Sequence, residues 1–317
     1  MRYQKLGLSD LEVSALGLGC NNFGGRLDVE ASRAVIHRAL DVGVTLFDTA
    51  DVYPMGVGGR SEEILGDALG ARRQEIVLAT KFGMSVDAGA AEGGGAPERI
   101  KACCEASLRR LKTDWIDLFQ YHVPDTETPI EETLSALDNL VQAGKVRYVG
   151  CSNFSAAQIQ SAHQVAATND RTSFICSQEE YSLVTRKIDK AVLPALKANG
   201  MGLLPFFPLA SGLLTGKYQG GGIPDGSRLA GNKGHQTRFL TEANLALATR
   251  YINFCEKRGK QLIDLAFSWL LSRPPIASVI AGASTPEQVS DNADATGWVL
   301  SDADLAEIDE IYQSVSH

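Results

Sequence analysis

Ala15-Leu16-Gly17-Leu18-Gly19-Cys20-Asn21-Asn22 is a short apolar run closing in glycines and amides, and it decides between the two folds open to this chain. A G-x-G-x-x-G turn straight after a first strand would mark an open, doubly wound sheet with a dinucleotide at the next helix N-terminus. Here Asn22 stands where the third glycine would be, and more loop follows. Outward from this point come seven further apolar runs of strand length: Thr45–Phe47, Ile76–Thr80, Ile116–Gln120, Tyr148–Cys151, Phe174–Ser177, Gly202–Phe206 and Ser278–Ala281. Stretches of helical period separate them. Asp28–Val42 carries Ala31, Val35, Ala39 and Leu40 on one side, and another stretch opens at Ser61, a candidate hydroxyl cap. Pro97–Leu111, Ile130–Ala143, Ser155–Ala167, Lys187–Ala198 and Leu262–Leu271 follow. Such alternation requires parallel pairing through right-handed crossovers. Without the glycine fingerprint, the expected fold is an α/β (β/α)8 TIM barrel, one domain over residues 1–317.

Upstream, Tyr3–Leu6 and Val13–Leu16 around Gly7 and Ser9-Asp10 predict a short N-terminal β-hairpin. After the seventh barrel strand, Ala210 to about Leu240 reads as a long irregular loop rich in Gly, Lys and Arg, the kind of segment that often serves function. Glu92-Gly93-Gly94-Gly95-Ala96 reads as a smaller flexible loop.

The chain has 317 residues, enough for a large core, and its net charge of −8 comes without a basic run. That excludes the usual electrostatic footprint for nucleic acid or an anionic membrane surface. The N-terminus has no signal-peptide apolar core, and the longest apolar stretch, Met201–Leu214, is broken by Pro205 and Pro208. Cys20, Cys103, Cys104, Cys151, Cys176 and Cys255 form no C-x-x-C pair, so they read as reduced thiols of a cytoplasmic protein. His37, His163, His235 and His317 are scattered and compose no metal set.

In a (β/α)8 barrel, reactive groups stand at the C-terminal ends of the strands, where the βα loops converge. The second run is followed by Asp48-Thr49-Ala50-Asp51-Val52-Tyr53, the third by Lys81 and the fourth by Tyr121-His122. The fifth gives Ser152-Asn153 and the sixth Gln178. Taken singly these are a turn aspartate, a loop aromatic, a solvated lysine and a structural histidine. Together they suit proton transfer. A tyrosine hydroxyl titrates near about pH 10, and a neighbouring lysine cation is expected to lower that value. Asp48 would hold Lys81 charged, Tyr53 would exchange a proton with an oxygen, and His122 would hydrogen-bond the same oxygen.

Asp48-x-Ala50-x-x-Tyr53, Lys81-Phe82-Gly83, Tyr121-His122 and Gly150-Cys151-Ser152-Asn153-Phe154 resemble the signature blocks of the aldo-keto reductases. Phe207–Lys217 and Gly282–Asn292 are similar to that family's cofactor segments, and the resemblance runs from about Tyr3 to beyond Asn292. It implies a barrel that binds extended NADPH at its mouth, with Asp48, Tyr53, Lys81 and His122 as catalytic tetrad. It further implies that Ser152, Asn153 and Gln178 hold the nicotinamide carboxamide. Phe206 stands where the family has Tyr or Trp, and keeps the ring face needed for stacking. Pro208, Leu209, Ser211, Gly212 and Lys217, with Gly282, Ser284, Gln288, Asp291 and Asn292, match the pyrophosphate and adenosine region. Gly19, Cys20, Asn21 and Asp48 complete the implied contacts. One departure is that no Lys or Arg stands near Gly282 or Gln288 for the ribose 2′-phosphate. Arg228 or Lys233 of the long loop would have to supply it. NADPH is the expected cofactor, with NADH the alternative.

The resemblance implies reduction of an aldehyde or ketone. The same groups run in reverse would serve an NAD-dependent sugar dehydrogenase. A barrel aldolase with a Schiff base on Lys81 would not need Tyr53. Related barrels also act as cofactor-holding regulatory subunits, and the lack of an added N-terminal segment favours a free enzyme. Asn21, Asn22, Met84, Val123 and the tail near Trp298 are the candidate substrate contacts, that tail either covering the mouth or packing on a neighbour.

Overall fold

The structure is a computed structural model that describes residues 1–85, 92–219 and 222–315. Gly220, Gly221 and His317, which fall within features singled out above, lie outside the described residues. A hairpin of β1 (Tyr3–Lys5) and β2 (Glu12–Ser14) precedes the barrel, paired antiparallel with Tyr3 opposite Ser14. The barrel strands are β3 (Leu16–Gly19), β4 (Leu46–Asp48), β5 (Val77–Phe82) and β6 (Ile116–Tyr121). They continue as β7 (Val146–Ser152), β8 (Cys176–Glu180), β9 (Gly202–Phe206) and β10 (Val279–Ala281). Each of the eight apolar runs is one of these strands. They pair in parallel in the order β10-β3-β4-β5-β6-β7-β8-β9. Between β9 and β10 the ring is joined by Leu203, whose N–H donates to Pro275 O at 3.0 Å and whose carbonyl accepts from Ala277 at 3.4 Å.

Strand period sets what the barrel contains, because residues two apart share a face. Leu46, Val77, Ala79, Leu118, Cys176, Leu204 and Ile280 form one buried cluster with Leu6, Leu11 and Val13 of the hairpin segment. The hairpin therefore packs against the apolar filling of the barrel. Its turn at Gly7 has φ +62°, and a Cβ there would lie 2.7 Å from Gly200 O and Gly202 N, so only glycine fits. Two residues further along the same faces come Asp48, Lys81, Gln120 and Gln178. The interior thus turns from apolar to polar towards the strand C-termini.

Helices α1 (Val29–Asp41), α2 (Arg60–Leu69), α3 (Pro97–Leu111), α4 (Ile130–Gln142), α5 (Ala156–Thr168) and α6 (Val192–Ala198) follow successive strands. Local signals set several of their ends. Asp28 accepts from Ala31 N–H at 2.8 Å, and Ser155 with Gln158 forms a reciprocal capping box. Ser61 does not cap α2: Gly59 holds that position, and Ser61 Oγ instead donates to Cys20 O at 2.8 Å and accepts from Thr49 Oγ1 at 2.9 Å. Lys187–Ala198 is not one helix. A 3-10 turn, Lys187–Lys190, breaks at Ala191, and α6 restarts so that Pro194 lies in its first turn, where its missing N–H costs little.

The connection after β9 is more ordered than its composition suggests. It holds a 3-10 segment, Ala210–Thr215, and α7 (Lys233–Phe239), capped by Asn232. Then come α8 (Glu242–Glu256), α9 (Leu262–Leu271), α10 (Pro286–Asp294) and α11 (Asp302–Gln313). The Glu92–Ala96 patch, expected to be flexible, is pinned at Gly95. Gly95 N–H donates to Asp125 Oδ2 at 2.6 Å, and its carbonyl accepts from Thr133 Oγ1 at 2.9 Å. None of the helices described is long and apolar enough to cross a membrane.

Candidate active site

Asp48 ends β4 and Lys81 lies near the end of the adjacent β5, so parallel register brings both to one level of the barrel interior. Lys81 Nζ donates to Asp48 Oδ2 at 2.7 Å and to Thr49 O at 2.9 Å. Asp48 Oδ1 accepts from Gln178 Nε2 at 2.8 Å and from Gln120 Nε2 at 3.3 Å. Lys81 is fully buried and Asp48 is 3% exposed, so this ion pair is satisfied on both sides, as a buried pair must be. Tyr53 comes in on the loop after β4. Lys81 Nζ lies 5.0 Å from its ring centre, and the His122 ring meets it edge-on at 5.8 Å. The four residues, from three separate sequence blocks, form one contiguous group.

Their charge states follow from burial and neighbours. Burial works against a charge on Lys81, but Asp48 and then Tyr53 outweigh it, and the ammonium is held above its ordinary range. Burial is the largest influence on Tyr53. It outweighs the charge and hydrogen bond of Lys81, so the phenol titrates above its usual value rather than below it. The expected lowering by Lys81 is present but smaller than the desolvation it opposes. His122 is driven well below its ordinary value by burial, with Lys81 adding to the effect, so the imidazole is neutral. Its Nδ1 is buried and has no hydrogen-bond partner among the described residues.

The end of β7 supports this group from the side. Ser152 Oγ donates to Gln178 O at 2.7 Å, and Asn153 Nδ2 donates to His122 O at 3.0 Å. Asn153 sits at φ +60°, a left-handed conformation that asparagine tolerates. Behind the turn, Glu179 faces outward from β8. Its carboxyl accepts from Ser177 Oγ at 2.6 Å and from the backbone N–H groups of Asn153 and Phe154. Nothing in the sequence singled out Glu179. An acid at an outward strand position is a surface residue by default, whereas here it is 6% exposed.

Above the group opens a cleft of about 830 Å³. Tyr53, His122 and Asp48 line it, whereas Lys81 lies behind them. Of the other residues expected to touch a cofactor, Lys233 does not line this cleft; the rest do, from Gly19, Cys20 and Asn21 through Ser152, Asn153, Gln178 and Phe206. Pro208, Leu209, Ser211, Gly212, Lys217 and Arg228 follow, and Gly282, Ser284, Gln288, Asp291 and Asn292 close the far side. Cys20 is fully buried, which pushes its thiol well up and leaves it a poor nucleophile. Ser211 (φ +57°) and Gly212 (φ +96°) form a consecutive left-handed turn in the cleft wall. Arg228 stacks over Phe207 with its guanidinium carbon 5.1 Å from the ring centre.

This lining fits a nicotinamide dinucleotide: an aromatic face at Phe206, amide donors and acceptors at Asn153 and Gln178, and a glycine turn with Lys217 for phosphate. Met84, Val123 and Trp298 do not line the cleft; Trp298 packs 6.1 Å from Phe254 of α8. Among the described residues, none after Ala295 lines the cleft. Arg26, Asp264 and Asp294 do line it and were not anticipated, because they sit in a loop or in helices away from any strand end.

Comparison with known proteins agrees with this geometry. The model of the "Aldo/keto reductase family" matches residues 15–313. The chain is 37% identical to L-glyceraldehyde 3-phosphate reductase of Escherichia coli K12, covering 98% of this chain and 92% of that one. It is also 37% identical to a probable voltage-gated potassium channel subunit beta of Arabidopsis thaliana, covering 99% and 97%. Probable aldo-keto reductase 1 of Glycine max is 35% identical over 96% of this chain and 87% of its own.

Proposed function

We propose that the chain, which belongs to the aldo-keto reductase family, reduces an aldehyde or ketone to an alcohol with NADPH, using Tyr53 as the general acid. The observation that supports this most is the buried Asp48–Lys81 pair set beside a neutral phenol and a neutral imidazole at the floor of the cleft. When bound, the nicotinamide dinucleotide supplies the hydride. The protein does the rest. Tyr53, protonated because it is buried, hands its hydroxyl proton to the carbonyl oxygen as negative charge develops there. Lys81, charged and fixed by Asp48, stabilises the phenolate left behind. His122, neutral, offers a hydrogen bond to the same oxygen and fixes the direction of approach.

Ser152, Asn153 and Gln178 are assigned to the carboxamide and Phe206 to the nicotinamide face. The Ser211–Gly212 turn, Lys217, Arg228, Ser284 and Gln288 are assigned to the phosphates, with Asp291 and Asn292 at the adenosine. Arg228 is the one guanidinium in the cleft wall near Gly282, where its Nη1 would stand 4.0 Å from an added Cβ. It is the reason to favour NADPH over NADH. We place the protein in the cytoplasm.

The test is consumption of NADPH and of NADH, each followed by its near-ultraviolet absorbance, with a reactive aromatic aldehyde. Steady oxidation with a lower KM for NADPH is the expected result. The similarity to potassium channel beta subunits favours one second reading, a barrel that binds the nucleotide for regulation. Tight nucleotide binding without turnover of any aldehyde would select it and overturn the first.

A further inference from the structure

The charges lining the cleft are not evenly spread. Asp264, Asp291 and Asp294 lie with Gln288 and Asn292, while apart from Asp48 the remaining charged residues are the cations Arg26, Lys217 and Arg228. Lys217 belongs with the glycine turn, since a Cβ on Gly212 would lie 3.0 Å from its Cε. The two arginines are placed differently. Arg26 comes from the loop between β3 and α1. Its neighbour Gly25 packs on the catalytic tyrosine's own turn, where an added Cβ would meet Pro54 at 2.9 Å. Arg228 is close enough to feel the charges of both Arg26 and Tyr53. Both arginines line the cleft together with Tyr53, and the carbonyl that Arg26 bonds, Gly226 O, lies two residues before Arg228 in the chain.

Among the described residues neither has a carboxylate partner. There Arg26 donates only to the Gly226 carbonyl, and Arg228 stacks on the Phe207 ring. Other half-buried and buried arginines of this chain do pair, Arg73 with Asp117, Arg110 with Glu62, Arg186 with Asp309, and Arg258 with Asp304 and Glu307, whereas half-buried Arg228 does not; Arg26 is exposed. Acids outnumber bases, 38 against 30, so partners are not scarce. Two like charges held together with no acid between them repel, and an anion lodged there removes the repulsion and gains charge-assisted hydrogen bonds.

We propose that the carbonyl substrate carries an anionic group, a phosphate ester or a carboxylate, on a short chain, and that Arg26 binds it with Arg228 sharing the charge. This rests on the reductase reading above. Arg228 is also assigned to the cofactor, so Arg26 is the residue that makes the proposal specific. It follows Gly25, which packs on Pro54 next to Tyr53. A guanidinium matches a phosphate or carboxylate edge with two parallel N–H donors, which a neutral aldehyde cannot use.

The experiment compares kcat/KM of the full chain at saturating NADPH for two matched pairs: glyceraldehyde with glyceraldehyde 3-phosphate, and butanal with succinic semialdehyde. Arg26→Met and Arg26→Lys are run alongside. The wild type should prefer the charged member of at least one pair by about tenfold or more, as a charge-assisted contact at a half-open site gives. Which pair shows it tells phosphate from carboxylate. Arg26→Met should remove that preference and Arg26→Lys should restore part of it. Equal kcat/KM within both pairs overturns the proposal while leaving the reductase reading intact. So does an Arg26→Met effect that falls equally on charged and neutral aldehydes or only on the KM for NADPH, which would make Arg26 a cofactor ligand. Failure to reduce even the neutral aldehydes overturns both.

Discussion

Replacing Glu179 by Gln should change how stability depends on pH. Glu179 is 6% exposed, and its surroundings supply hydroxyl and backbone donors but no cation. Burial raises its carboxyl from 4.5 to about 7. A folded-state value above the unfolded one means that folding favours the protonated form. The associated stability is fully present below about pH 4.5 and is lost progressively as pH rises to about 7. At about 1.4 kcal/mol for each unit, the loss across that window is about 3 kcal/mol. A glutamine keeps an acceptor for the Asn153 and Phe154 N–H groups and does not titrate. Asp51, also raised to about 7 by burial, titrates in the same window, so the two proteins must be compared directly. Denaturant unfolding at pH 5, 6, 7 and 8 should show the wild type losing ground to Glu179→Gln as pH rises, then running parallel to it. A difference that stays constant with pH would refute the assignment of the buried titration to Glu179.

Removing one partner of the central ion pair should cost unequally. Asp48→Leu leaves buried Lys81 without a carboxylate, with only the Thr49 carbonyl and the Tyr53 hydroxyl as partners, and should destabilise by roughly 3–5 kcal/mol. Lys81→Met should cost less, because Asp48 keeps Gln178 and Gln120, and denaturation midpoints decide the order. Arg73→Ala should destabilise by about 3 kcal/mol with turnover unchanged, since it strips Asp117 of its buried partner at 2.9 Å and uncovers Trp115 far from the cleft. Gly95→Ala should cost roughly 1–3 kcal/mol in the same assay, because the new Cβ would fall 2.6 Å from both Thr133 Oγ1 and the Tyr121 hydroxyl.

The barrel was legible because its signal is redundant. Most strands are short runs buried on both faces and most are followed by a helical period, so no single misread boundary alters the topology. The placement of Asp48, Lys81 and Gln178 could be anticipated for the same reason: strand ends in a barrel face one mouth. Other features were not legible. Ser61 looks like a cap by type and position, yet burial commits its hydroxyl to Cys20 and Thr49. The buried residues of α8, Leu247, Ala248, Tyr251, Phe254 and Cys255, do follow a helical period. They were passed over because they lie beyond a stretch whose glycines and charges suggested loop throughout. The ionisation of Tyr53 also escaped the sequence. Proximity to Lys81 can be guessed from spacing, but the desolvation that outweighs it depends on what else fills the barrel. Arg26 and Glu179 were missed because their importance lies in burial and missing partners, and neither is written in residue type.

The central claim is that the Tyr53 hydroxyl supplies the proton in carbonyl reduction, and the most direct measurement is Tyr53→Phe against wild type with NADPH and an aromatic aldehyde. Turnover is followed by nucleotide absorbance and NADPH affinity by fluorescence. The account predicts a fall in kcat of about a hundredfold to ten-thousandfold with the NADPH dissociation constant nearly unchanged. A variant that turns over near the wild-type rate would contradict it.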